Sequence, residues 1–333
     1  MRRSRPGTGG SEPSEAFGRI ATYPGRVILV ALPAVLVAVA TVAAFGGRWV
    51  WWLDLVANFR PQLGVAALVG GVTLVVARWR RLGAIVLAAA AVNAALVLPL
   101  FLPPPDGTDE GVPVRVVTFN LFAANDRYEE VIGYLRGVDA DVVFLHEASA
   151  PWEEALEASD LPYEVYRSRS DGLIFGTVVL TRPDAKVTSF GFASSEPRAV
   201  EVELALPEGG TFRLLGVHTL APTTERRAAL RDAQLRFAGE WAASRTPPLV
   251  VAGDLNAGPW SWAFARLQKE GDLEDSARGF GLQPTFPATA NPALRVPIDH
   301  LLYSDGVRVV SRRLGPPLGS DHFPLVVDLS VSP

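Results

Sequence analysis

Apolar positions change their rhythm near residue 112. Before it they run in long unbroken blocks; after it they come in short runs divided by polar stretches. Val27 to Phe45 is apolar but for Thr41, with Pro33 inside it. Its length approaches the ~20 residues an α-helix needs to cross a bilayer. Leu63 to Ala77 is weaker. Its 15 residues at ~1.5 Å rise give about 22 Å, short of a ~30 Å hydrocarbon core, so it needs Phe59 to Gln62 to reach across. Leu82 to Leu102 is a strong third block whose only polar side chain is Asn93. An isolated Asn at such a place bonds a neighbouring helix. The pattern predicts a bundle of about three transmembrane helices, near 27–45, 60–77 and 82–102.

Past the blocks, the period shortens. Strand-like runs recur at Tyr163–Tyr166, Leu173–Leu180, Val187–Phe192, Val200–Leu206 and Phe212–Val217. Asp126–Arg136 and Thr223–Trp241 read as helices, the second opened by a Thr-Thr-Glu cap. Short strands mixed with helices suggest two packed sheets with helices outside.

Arginine sets the expected topology. Arg2, Arg3, Arg5, Arg19 and Arg26 belong to a Gly/Ser/Pro-rich stretch, residues 1–26, that reads as a disordered basic tail. Arg78, Arg80 and Arg81 follow the second block. The positive-inside rule puts both clusters on the cytoplasmic side. Three crossings satisfy both and carry the chain outward at Leu102. Trp49, Trp51 and Trp52 form an interfacial cluster between the first two blocks. A cleaved signal peptide is disfavoured, because the first block is long and others follow it. Residues 103–112 are a Pro-rich acidic linker. The expected location is therefore the cell membrane, multi-pass, with residues 113–333 as an extracytoplasmic domain.

Five apolar runs in that domain end in chemistry-bearing residues, and a Gly/Pro loop ahead of the last strand carries a sixth set. Val117–Asn120 ends in Asn120, Val142–Glu147 in Glu147, and Leu214–His218 in His218. Val250 to Asn256 ends in Gly253-Asp254-Leu255-Asn256, and Val296 to His300 in Asp299-His300. Gly319 to Pro324 carries Asp321-His322 ahead of a last strand. Asp254 and Asn256 are expected on one strand face, being alternate residues. Gly253 lets a backbone or a substrate come close. Gly-Asp-x-Asn alone also makes an ordinary Asx-turn. A carboxylate can hold a cation or polarise a water, an amide can donate to a phosphate oxygen, and an imidazole titrates near neutral pH.

Composition narrows this chemistry. The chain has no cysteine and four histidines, all inside these blocks. A metal must be held by oxygen or imidazole, and hard oxygen donors favour Mg²⁺ or Mn²⁺ over Zn²⁺. Charge is split. Residues 1–105 hold ten Arg and three acids, net +7; the remainder is net −11, and together they give −4. A domain at −11 is poorly suited to capturing a nucleic-acid backbone. Thr285 to Pro297 is short and Pro-rich, with no basic insertion to grip a duplex.

The ordered set of strand ends resembles the endonuclease/exonuclease/phosphatase superfamily, the DNase I-like metal phosphoesterases, over roughly residues 113 to 331. The resemblance implies an α/β fold, a DNase I-like two-sheet sandwich preceded here by the transmembrane bundle. It implies that Asn120 and Glu147 hold the divalent ion, with Asp321 helping. It implies that His322 is a general acid or base oriented by Asp299. His218 would donate to a non-bridging phosphate oxygen or the leaving group, with Asp254 and Asn256 completing the catalytic set. The family usually shows Gln where this chain has His146, which should face away from Glu147 and be structural. His300 should likewise face away. Gly176 to Arg182 resembles the family's mid-domain strand, and Arg198 reads as a surface arginine. The layout is similar to a membrane-anchored bacterial subgroup, the VanJ-type glycopeptide-resistance proteins. That implies a metal-dependent hydrolase acting on a phosphate ester or pyrophosphate, either a lipid-linked envelope substrate or a small molecule, and a link to antibiotic resistance. A membrane-anchored nuclease is the alternative enzyme, disfavoured by charge. A catalytically inactive envelope binding or sensor module is the alternative class, disfavoured because no ligand residue is missing.

Overall fold

The computed structural model describes residues 24–103, 111–168, 175–192, 195–207 and 209–332. The basic tail up to residue 23, the linker over 104–110 and the side chain of Arg198 lie outside them.

Four helices open the described chain: α1 (Pro24–Ala43), α2 (Trp51–Ala57), α3 (Arg60–Val76) and α4 (Arg80–Val97). Leu29–Arg48 and Arg80–Phe101 are each long and apolar enough to cross a membrane. The weak middle block gains length by starting at Arg60. Pro61 sits in its first turn, where a missing N–H costs nothing. At 17 residues α3 reaches about 25 Å. It meets α2 at 69°, and the bent pair counts as a third span if taken as one. Gly64 lies against Asn93, Gly71 against Leu87 and Gly83 against Val75, so α3 and α4 run antiparallel at close approach. One polar cluster ties the bundle. Arg60 Nη1 donates to Thr41 O at 2.8 Å and to Asn93 Oδ1 at 3.2 Å, and Asn93 Nδ2 donates to Thr41 Oγ1 at 2.8 Å. Asn93 thus bonds neighbouring helices, as its isolation suggested.

The second part is a DNase I-like α/β sandwich. Its first sheet is built from β1 (Val112–Asn120), β2 (Val142–Ser149), β3 (Glu164–Ser168), β4 (Phe175–Thr181), β11 (Val307–Leu314) and β12 (Leu325–Val331). The second holds β5 (Lys186–Phe192), β6 (Ser195–Ala205), β7 (Thr211–His218), β8 (Leu249–Asp254), β9 (Glu274–Asp275) and β10 (Asp299–Tyr303). The orders are β11-β12-β1-β2-β4-β3 and β5-β6-β7-β8-β10-β9. Among the described residues only β1/β2 and β7/β8 are parallel; every other strand pairing there is antiparallel. Each parallel pair needs a helical crossover, supplied by α5 (Tyr128–Val138) and α7 (Glu225–Ala243). Helices α6 (Ala150–Glu157) and α8 (Trp262–Gly271) complete the outer layers. Thr224 caps α7 by accepting from Arg227 N, one residue into the expected Thr-Thr-Glu signal.

Phe144, Leu214, Val250, Leu301 and Val327 meet between the sheets. Gly216 leaves room for Phe144: a Cβ there would stand 2.2 Å from its ring. Gly216→Ala is therefore an overpacking change, expected to destabilise by about 1–3 kcal/mol. Melting of the detergent-solubilised chain checks this. An unchanged melting temperature would mean that Phe144 can move aside.

Candidate active site

The parallel pairs bring strand ends together. In β1/β2 Asn120 lies opposite His146, and in β7/β8 His218 lies opposite Asp254. Across the antiparallel β8/β10 pair Asp254 faces Asp299. The two sheets thus deliver Asn120, Glu147, His218, Asp254 and Asp299 to one rim. The loop before β12 adds Asp321 and His322. All but Asp299 line a single pocket of about 230 Å³, together with Asn256. Asp299 is fully buried behind His322.

Like charges crowd here. Asn120 Nδ2 donates to Glu147 Oε1 at 3.1 Å and to Asp254 Oδ2 at 3.0 Å, so one amide joins two carboxylates. Asn120 Oδ1 accepts from Phe122 N at 3.0 Å, which fixes the amide's orientation. His218 Nε2 lies 3.6 Å from Glu147 Oε1 and 3.8 Å from Asp254 Oδ2. Glu147 lies within a bulge of β2, between Leu145 and Ala148, and has φ +53°, a left-handed conformation costly for a non-glycine residue. That twist separates it from His146 and turns it into the pocket.

His322 is held from two sides. Its Nδ1 is 2.7 Å from Asp299 Oδ2, and its backbone N donates to Ser320 Oγ at 2.9 Å. Ser320 Oγ in turn donates to Asn120 O at 2.7 Å. The Phe286 ring packs on the imidazole with centroids 4.8 Å apart. Burial disfavours the imidazolium, but Asp299 and then Asp254 outweigh it and push the pKa up to about 10. Burial also pushes the Asp299 carboxyl up, and the charge and hydrogen bond of His322 reverse that and hold it low. Asp254 has its pKa raised, by burial first and then by Asp299. Asp321 is raised too, by burial above all, with Glu147 adding repulsion.

Two histidines play other parts. His146 is fully buried between Thr118 Oγ1 and Thr177 Oγ1, each 3.2 Å from a ring nitrogen. Burial, then His218, lower its pKa to about 3, so it is a neutral support under the site. His300 points to the other side of β10, with Nε2 3.0 Å from Ala257 O and its ring on Phe264.

The reason given for Asn256 needs correction. Strand β8 stops at Asp254, so alternation along a strand does not orient Asn256. It reaches the pocket by an Asx-turn at φ +46°, with its N–H donating to Asp254 Oδ1 at 3.0 Å. Its Nδ2 donates to Thr219 O at 3.0 Å. Gly253 admits backbone rather than substrate: at φ +147°, a Cβ there would stand 1.8 Å from Val217 O. Arg227 and Phe286 also line the pocket and were not singled out from the sequence. Neither stands at the end of an apolar run.

The donor set fits a divalent cation. Two carboxylates share one amide, and Asp321 adds a third to the pocket. Among the described residues the tightest ligand cluster is Asp254, Asp299 and His322, with one donor atom from each within 4.8 Å. A cation taken by that trio would compete with the 2.7 Å His322–Asp299 bond. One held by Glu147 and Asp321 leaves the bond intact, and Asn120 would join it through Oδ1 once its amide turns from Phe122 N.

Comparison with known proteins agrees with the fold. D. rerio TDP2, in a crystal structure with a single-strand DNA product, is 18% identical with a TM-score of 0.55, covering 66% of this chain and 99% of that one. An endonuclease/exonuclease/phosphatase from Beutenbergia cavernae DSM 12333 is 21% identical with a TM-score of 0.51, covering 66% and 72%. The endonuclease/exonuclease/phosphatase from Bacteroides vulgatus is 19% identical with a TM-score of 0.54, covering 66% and 100%. No curated protein matches the chain. The model of the Endonuclease/Exonuclease/phosphatase family matches residues 117–322, from within β1 to His322 itself. By that match the chain belongs to the endonuclease/exonuclease/phosphatase family.

Proposed function

We propose that the protein is a membrane-anchored, divalent-metal-dependent phosphoesterase. It hydrolyses a phosphate ester or pyrophosphate on the extracytoplasmic side, with a lipid-linked envelope phosphate as the preferred substrate class. The family covers nucleases and phosphatases, and its members are usually hydrolases of phosphoester bonds. The observation that carries the reading is the His322–Asp299 pair at 2.7 Å, set beside Asp254 across the rim from Asn120 and Glu147.

Asn120, Glu147 and Asp321 would hold Mg²⁺ or Mn²⁺, which when bound supplies neutralising charge to the phosphorus oxygens. The rest falls to side chains. Asp254, with Asn256 N–H on Oδ1, orients the attacking water and accepts its proton. His218 donates to a non-bridging oxygen as negative charge builds there. His322, kept protonated by Asp299, donates its Nε2 proton to the leaving oxygen as the P–O bond breaks. The pocket's 230 Å³ suits a phosphate group better than a duplex.

Two features favour a substrate at the membrane surface. Trp49 and Trp52 are exposed beside the domain, as interfacial residues are. Trp260, in the loop after Asp254, donates Nε1–H to Leu96 O near the end of α4 at 2.9 Å. A nuclease acting on single strands is the second reading, drawn from the DNA complex of D. rerio TDP2. The net charge of −11 weighs against it.

The full-length chain in detergent tests the class. Phosphate release from polyprenyl pyrophosphate, phospholipid, nucleotide and DNA is compared with Mg²⁺ and with EDTA. Release from DNA alone would favour the nuclease. Glu147→Gln is expected to abolish most metal-dependent turnover and leave the fold intact; unchanged activity and metal affinity would remove Glu147 from the site. His322→Ala should cut turnover by about two to four orders of magnitude, the usual worth of a general acid. Asp299→Asn should also lower it, and no loss at all would break the proposed pairing.

Sidedness is tested separately. Alkaline phosphatase fused after Gly111 should be active and a fluorescent protein at the same junction dark. Fluorescence without phosphatase activity would falsify the outward placement and put envelope substrates out of reach.

A further inference from the structure

The loop that leaves β8 after Asp254 is gripped at every second residue, each time with the help of the membrane region. Arg231 Nη1 donates to Asn256 O at 2.8 Å, while Arg231 Nη2 donates to Asp54 Oδ2 at 2.9 Å. Gly258 N donates to Asn58 Oδ1 at 2.9 Å. Trp260 Nε1 donates to Leu96 O at 2.9 Å, and Trp262 N to Asp54 Oδ1 at 2.6 Å. One carboxylate, Asp54, thus holds both ends of the loop. Asp54, Asn58 and Arg231 are all buried. The chain comes so close that a Cβ on Gly258 would stand 2.6 Å from Asn58 Oδ1.

This loop begins with site residues. Asn256 keeps its left-handed turn with its carbonyl on Arg231, and in that turn its N–H fixes Asp254 Oδ1. A second wall is tied the same way. Gln62 Nε2 donates to Arg295 O at 2.9 Å, and the neighbouring Val296 bridges Phe286, whose ring lies on His322.

We propose that Asp54 and Asn58, on the connection between the first and second membrane blocks, are positioning residues of the hydrolytic site. The membrane region is then part of the working pocket and not merely a tether. Neither side chain lines the pocket; both act through the Asn256–Trp262 loop on Asp254. Loss of the Asp54 charge leaves Arg231, buried, with Asp232 as its one carboxylate partner among the described residues, through Nε at 2.6 Å, and frees the loop's two ends together. The inference rests on the hydrolase reading, because turnover is its first readout.

The test uses the full-length chain in detergent, with bis(p-nitrophenyl) phosphate as a generic diester probe and Mn²⁺ as the metal. Turnover per folded molecule, KM, Mn²⁺ affinity and melting temperature are measured for wild type, Asp54→Asn, Asn58→Ala and Asp54→Glu. Misplacing a catalytic group by a fraction of an ångström to an ångström costs about tenfold to a hundredfold. A kcat loss of that order is expected in Asp54→Asn and Asn58→Ala, with a smaller change in KM and partial recovery in Asp54→Glu; Mn²⁺ binding should weaken too, because Asp254 shares the Asn120 amide with Glu147. A merely structural role would lower the melting temperature and leave kcat per folded molecule alone. That result in both variants overturns the proposal. If Asp54→Asn does not fold, Asn58→Ala decides, since it removes a single neutral hydrogen bond. An inactive wild type whose Mn²⁺ affinity is weakened by Asn58→Ala counts against the hydrolase reading and for the positioning role. A wild type that neither turns over nor binds Mn²⁺ overturns both.

Discussion

Asp254 stands between two other carboxylates, and most of the two-sheet domain can be understood as the means of keeping it there. Glu147 meets it through a shared amide, and Asp299 faces it across β8/β10. Like charges this close in a buried rim repel strongly, because the local dielectric is low. Each is offset by a placed donor: Asn120 Nδ2, His322, His218 and the Asn256 N–H. These donors work only while the strands that carry them stay in register. Gly253 allows the β7/β8 approach, Gly216 makes space for Phe144, and the β2 bulge turns Glu147 inward. The repulsion that remains is what a divalent cation held there would relieve.

Stability and chemistry pull against each other at this rim. A left-handed Glu147 and a carboxylate trio are poor choices for folding alone. They sit on strand ends whose interiors are almost wholly apolar, so the core carries the cost. His146 shows the same logic from beneath. It is an imidazole held neutral by burial and bonded by two threonines, filling the space under His218 without adding charge.

Docking joins the two parts of the chain. The bundle meets the catalytic domain through buried polar contacts rather than an apolar face alone: Asp54 with Arg231, Asn58 with Gly258, and Leu100 O with Gly279 and Gly281 N–H. Such contacts are directional, so they fix orientation as well as proximity. The proposed lipid-phosphate substrate and the proposed positioning role both draw on this geometry. A pocket held at a set height beside the bundle suits a phosphate that cannot leave the membrane surface.

The sequence by itself determined which residues could carry chemistry and roughly where the elements lie. An apolar run that stops at Asn, Glu, His or Asp is a local signal, since burial demands the run and exposure permits the polar end. Hence Asn120, Glu147, His218 and Asp254 were legible, Asp321 and His322 stood out in a Gly/Pro loop ahead of the last strand, and three apolar blocks were plain before them. The likeness to a known family, not periodicity, supplied the two-sheet sandwich and the pairing of His322 with Asp299. Other features belonged to the tertiary structure alone. Asn256 enters through a turn whose carbonyl is held by the distant Arg231. Phe286 reaches His322 only because its segment folds back through Val296. Asp54 and Arg231 lie 177 residues apart, on segments with unrelated patterns. Periodicity reports the face an element buries; it carries no record of which distant side chain will be waiting there. Only the packed chain decides that, because the partner of a buried charge is chosen by geometry in three dimensions.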